Sequence, residues 1–66
     1  MYMLKDGLYF KFNQSEASKI IGITQPTMNN IMNRKVACRK VLAFCITKYI
    51  NETAEIEDYF EKVEGR

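Results

Sequence analysis

The sequence predicts a mostly α fold, a small helix-turn-helix domain of about four helices preceded by a short N-terminal β-hairpin. Two helix starts, at Asn13 and Thr24, bracket Gly22, where a tight turn between helices calls for a residue free to adopt positive φ. Two later stretches, 36–50 and 53–64, carry apolar residues at helical spacing. Residues 2–12 instead place β-formers on both sides of Asp6-Gly7. A chain of 66 residues has room for one core. Residues 1–66 are therefore read as a single domain, with 1–12 the hairpin, 13–33 the helix-turn-helix, and 36–50 and 53–64 supporting helices.

Asp-Gly suits a two-residue type I′ turn, so Lys5 is expected opposite Leu8, Leu4 opposite Tyr9 and Met3 opposite Phe10. That register puts Met3, Leu8, Phe10 and Phe12 on a buried face and turns Tyr2 and Lys11 outward. A lone hairpin is barely stable in water, so it must pack on the helices. Asn13-Gln14-Ser15-Glu16 has the form of a capping box, and the helix it opens should run to about Ile21. Gly22 ends it and Ile23 pins the turn to the core. Thr24 caps the next helix and Pro26 occupies its first turn, where the missing N–H is not needed. That helix is expected to reach about Asn33.

In 36–50 the apolar stripe is read as Val41, Leu42, Cys45 and Tyr49. Cys38 and Cys45 on one helix would be on the order of 10 Å apart, beyond disulfide reach, so both are expected as reduced thiols. In 53–64, Ile56, Tyr59, Phe60 and Val63 fall at i, i+3, i+4 and i+7. This stripe is a candidate homodimer face, and it would serve equally well to close a small core.

Charge is unevenly spread. Residues 1–50 carry eight cations and two anions, and residues 51–66 two cations and six anions. The basic cluster Arg34, Lys35, Arg39 and Lys40 suits an anionic backbone. With no histidine, no phosphate-cradling glycine loop and no CxxC pair, catalysis, a metal site and a cofactor are all unexpected. No apolar run approaches the roughly 18 residues of a membrane span, and the first residues lack the basic region of a signal peptide.

The second motif helix carries the functional signal. With Gln25 at 0°, Met28 and Ile31 fall near 300° and 240°, while Pro26, Asn29, Asn30 and Asn33 lie between about 40° and 140°. Asparagine is a poor choice for stabilising an exposed helix. Its amide donates and accepts at once, which matches the N6/N7 edge of adenine in the major groove.

Residues 13–35, NQSEASKIIGITQPTMNNIMNRK, resemble the helix-turn-helix of the lambdoid repressor and Cro family, the Xre-type regulators. The resemblance rests on Gln14, the small Ser18, Ile21-Gly22-Ile23-Thr24 through the turn, Gln25-Pro26-Thr27, and the inward Met28 and Ile31. It implies base contacts from Gln25, Pro26 and Asn30, with Asn29 secondary. It also implies phosphate contacts from Asn13, Gln14, Lys35, Arg39 and Lys40, a group to which Thr27, Asn33 and Arg34 are added as candidates. The implied function is a sequence-specific double-stranded-DNA-binding regulator of phage or mobile-element type. It would work as a homodimer in the cytoplasm of a bacterial cell or phage-infected host. The alternative is a protein-binding module on the same fold, an antirepressor or an inhibitor of a host defence protein. Two departures stand out: a hairpin where family members have a first helix, and Arg34 where they commonly have glycine.

Overall fold

The computed structural model describes residues 1–63. Four helices and two short strands follow in the order β1 (Tyr2–Leu4), α1 (Gln14–Ile21), α2 (Gln25–Met32), α3 (Lys40–Ile50), α4 (Ile56–Tyr59) and β2 (Phe60–Lys62). The expected class therefore holds: mostly helical, with a two-stranded antiparallel sheet whose first strand lies at the N-terminus.

The helix-turn-helix forms where its caps place it. Asn13 Oδ1 accepts from the Glu16 N–H at 3.0 Å, satisfying a donor that the first helical turn leaves free. Gly22 ends α1 at φ 95°, and the N–H groups of Gly22 and Ile23 both donate to the Ser18 carbonyl, at 2.8 and 2.9 Å. Thr24 then caps α2, its Oγ1 accepting from the Thr27 N–H at 3.3 Å. Ala17 and Ser18 of α1 and Met28 and Ile31 of α2 are the buried residues of the pair. Small side chains on α1 let the two helices approach closely.

The strand pairing differs from the hairpin expected over 1–12. β1 pairs with β2, with Tyr2 opposite Lys62, Met3 opposite Glu61 and Leu4 opposite Phe60. The other edge of β1 is also taken, since Tyr2 and Cys38 exchange two hydrogen bonds of 2.7 Å. The Asp6-Gly7 turn does form, with Gly7 at φ 81°, but residues 8–12 do not return as a strand. Phe10 and Phe12 turn inward instead and meet Tyr59 and Tyr49 edge-on, at ring-centroid distances of 4.8 and 5.6 Å. The pleat is consequently inverted relative to the expected face: Leu4 is fully buried, Tyr2 is half-buried against the core, and Met3 and Leu8 are only half-buried.

Two helices also differ from their expected bounds. α3 begins at Lys40 rather than Val36, because Cys38 is engaged with Tyr2 in an extended conformation. Its buried face is Ala43, Ile46 and Thr47, whereas Leu42, Cys45 and Tyr49 are half-buried and Val41 is 73% exposed. The last helix is one turn, not the whole of 53–64; Glu64, the end of that span, lies outside the described residues. The Glu55 N–H donates to Asp58 Oδ2 at 2.9 Å and starts the turn. At Phe60 the chain becomes extended, φ −122° and ψ 154°, and delivers its ring opposite Leu4. Ile56 and Phe60 are buried in the domain's own core, and Tyr59 is packed on Phe10. Ile56 and Phe60 of the stripe suggested as a homodimer face thus help to close the core, while Tyr59 and Val63 are half-buried.

Cys38 is not on a helix with Cys45, and both thiols are free. Burial pushes the Cys38 thiol up to about 11, so it stays protonated at neutral pH. Iodoacetamide at pH 8 is expected to modify the half-buried Cys45 first and Cys38 only after denaturant is added, as read by mass spectrometry of the peptides. Thr47 is fully buried with a hydroxyl that meets no partner. Thr47→Val keeps the shape and removes the stranded group, so urea unfolding should show a gain of about 1 kcal/mol.

Candidate nucleic-acid interface

The outer surface of α2 is built from short polar side chains. Gln25, Pro26, Thr27, Asn29 and Asn33 are exposed and Asn30 is half-buried, while Met28 and Ile31 point to the core. α2 has no acidic residue in its first turn and no basic one in its last. Its presented face is therefore almost entirely amide, with Pro26 and the threonines at its start.

The amides are ordered by one another. Asn33 Nδ2 donates to Asn29 Oδ1 at 2.8 Å, and Asn29 Nδ2 donates to Gln14 Oε1 at 3.4 Å. This chain spans the two motif helices, and its direction decides what each amide can still do. Asn29 keeps one N–H and one carbonyl lone pair free, the pair needed for a two-point contact with a base edge. Gln14 has its oxygen engaged and both Nε2 hydrogens free, a donor end suited to an anion. At the start of α2, Thr24 Oγ1 and Thr27 Oγ1 lie 2.8 Å apart, so the Thr27 hydroxyl is tied to the helix cap.

The basic residues divide into two groups. Lys35, Arg39 and Lys40 are exposed along the segment from α2 into α3. Arg39 occupies the N-cap position of α3 without a side-chain cap, Lys40 is the first helical residue, and the first turn carries no acid. Cations at a helix N-terminus oppose the macrodipole by about 0.3–1 kcal/mol each, so this end of α3 is electrostatically uncompensated and favours an anion.

Arg34 belongs elsewhere. Its backbone is left-handed, φ 59°, the only positive value outside glycine among the described residues. Arg34 N–H reaches the Ile31 carbonyl at 3.1 Å and Lys35 N–H the Asn30 carbonyl at 2.9 Å, which closes the end of α2. Arg34 is thus a non-glycine residue held in the left-handed conformation that favours glycine. The side chain runs back to the N-terminal loop, with Nε 3.0 Å from Asp6 Oδ1 and Nη1 donating to the Lys5 carbonyl at 3.4 Å. Its expected place among the phosphate contacts is therefore corrected: the guanidinium is engaged within the domain and only 27% exposed.

The structure brings Gln14, Asn29 and Asn33 together, sets Gln25, Pro26 and Thr27 at the exposed start of α2, and leaves Asn13 engaged as a cap. It also places Tyr9, which the sequence pattern assigned to a hairpin strand and not to a DNA contact, beside this surface. Among the described residues no cluster of side chains suits a metal ion, and no helix is long and apolar enough to cross a membrane. Comparison with protein-family models, with curated proteins and with solved structures found no match.

The strain at Arg34 is measurable by substitution. Arg34→Ala retains the left-handed backbone without its contacts, whereas Arg34→Gly removes both strain and contacts. The alanine variant is expected to be less stable than the glycine variant by about 1 kcal/mol in urea unfolding, and equal stabilities would mean an unstrained turn.

Proposed function

We propose that this chain is a sequence-specific double-stranded-DNA-binding regulator that lays α2 in the major groove. The observation that carries the reading is the exposed face of α2: amides whose hydrogen-bonding groups are ordered but not exhausted, on a helix without side-chain charges. Such a face contributes little to stability and supplies the donor–acceptor pairs that adenine and its neighbours present in the groove. In this reading Gln25, Asn29 and Asn30 contact bases, and Pro26 offers an apolar surface to a thymine methyl. Gln14, Lys35, Arg39 and Lys40 then hold the phosphates that fix its register. The resemblance of residues 13–35 to the repressor and Cro motif supports the regulatory role and the phage or mobile-element setting.

The test is selection from a random duplex pool at several salt concentrations, with the bound fraction sequenced. Enrichment of a defined motif, affinity that falls steeply with salt, and loss of discrimination at particular base positions in Gln25→Ala and Asn29→Ala, by about 1–3 kcal/mol each, are expected. A palindromic motif would identify two copies per site. Absence of enrichment at moderate salt would overturn the reading and favour the protein-binding alternative.

A further inference from the structure

Tyr9 is the side chain that neither the core nor the amide face accounts for. It is 90% exposed, while the next most exposed aromatic residue, Phe44, stands at 48%. An exposed tyrosine on a free loop would call for no comment, but this loop is held on both sides of it. Ahead of Tyr9, Arg34 clasps Asp6 and the Lys5 carbonyl. Behind it, Phe10 and Phe12 are packed on Tyr59 and Tyr49. Tyr9 therefore projects from a fixed base, so that engaging it costs side-chain rotamer entropy but little backbone entropy.

Tyr9 is among the residues bordering a concavity of about 200 Å³ whose polar lining includes Gln14, Asn33 and Arg34. Gln14 and Asn33 are the two ends of the amide chain that brackets Asn29, so the concavity adjoins the outer face of α2. Its lining holds no carboxylate, and the nearby Asp6 is neutralised by Arg34. The Gln14 oxygen is taken by Asn29, which leaves its N–H groups for a ligand. Two residues after Tyr9, Lys11 is exposed. Hydrogen-bond donors and no acid lining a space of this size suit a tetrahedral anion.

We propose that Tyr9 is a DNA-backbone contact: its hydroxyl donates to a non-bridging oxygen of a phosphodiester seated between the 5–12 loop and the start of α1, with Gln14 Nε2 as the second donor. Asp6 and Arg34 act as positioning residues, and the loop they hold takes the place at the DNA surface next to α1 and α2. The left-handed residue Arg34 is the one whose side chain reaches back onto the loop. This inference rests on the reading of α2 as the recognition helix.

The experiment titrates the full chain against two duplexes, the one recovered by selection and a scrambled one of equal length. Tyr9→Phe removes only a hydroxyl from an exposed ring and leaves the fold undisturbed, which circular dichroism checks. It is expected to weaken both duplexes about tenfold, because a phosphate contact carries no sequence information, with the salt slope unchanged because no charge is lost. In the Asp6→Ala background, where the loss of a carboxylate changes the overall charge equally with or without the hydroxyl, the effect of Tyr9→Phe should shrink from about tenfold to within twofold, the mark of a residue acting through Tyr9; an undiminished tenfold effect would overturn the positioning role. Binding of both duplexes within twofold of the native chain by Tyr9→Phe, with Gln25→Ala still altering base positions, would overturn the Tyr9 contact and leave the α2 reading intact. A loss confined to the selected duplex would overturn the phosphate assignment. Failure of the native chain to bind either duplex would overturn both readings.

Discussion

The pairing of Leu4 with Phe60 is the contact on which the rest of the domain depends. Both side chains are 1% exposed, and they join the two strands found among the described residues. Around them β1 is held on two edges, by β2 on one side and by the Tyr2–Cys38 exchange on the other. The second exchange fixes the segment between α2 and α3, and with it the point at which α3 starts. A lone two-stranded ribbon is marginal in water. Here it survives because its inner face packs in one cluster with Met28, Ile31, Ala43 and Ile46 of the helices.

This closure has consequences for the surface of α2. Because β1 is committed to β2, residues 5–12 are not a strand, and they cross instead beside the start of α1 and the end of α2. Arg34 holds that crossing at the expense of a left-handed backbone, a strain of about 1 kcal/mol that an exposed ion pair and one carbonyl contact offset only modestly. The amide chain Asn33–Asn29–Gln14 orders the neighbouring surface without using all of its hydrogen-bonding capacity. A rigid scaffold carrying partly satisfied polar groups loses less entropy on engaging a ligand than a mobile one.

Reading the sequence succeeded where the signal was local and failed where partners were distant. The caps at Asn13 and Thr24, the turn at Gly22 and the inward Met28 and Ile31 follow from chemistry within one or two helical turns and form as expected, save that the capping box at Asn13 is present only in its Asn13-to-Glu16 N–H half. The face of α3 was misread because KVLAFCITKYI is apolar on nearly every side, so its periodicity does not single out Ala43, Ile46 and Thr47. The last segment has helical spacing, yet the same residues can satisfy a short strand once Leu4 is available to pair with Phe60. The candidate site was legible in α2, where exposure follows from helix geometry. The direction of the Arg34 side chain and the nearness of Tyr9 to Gln14 and Asn33 were not.

The sequence by itself determined the helix-turn-helix and the amide character of its outer face, because caps, turn glycine and 3.6-residue periodicity act between near neighbours. Tertiary structure alone decided which strand pairs with β1, where α3 begins and which way Arg34 reaches. Strand partners are chosen by competition among all exposed edges and apolar faces of the folded chain. Here a strand near the far end of the described chain, carrying Phe60, prevails over the adjacent residues 8–12 because Leu4 and Phe60 together complete a core that the local hairpin would have left open.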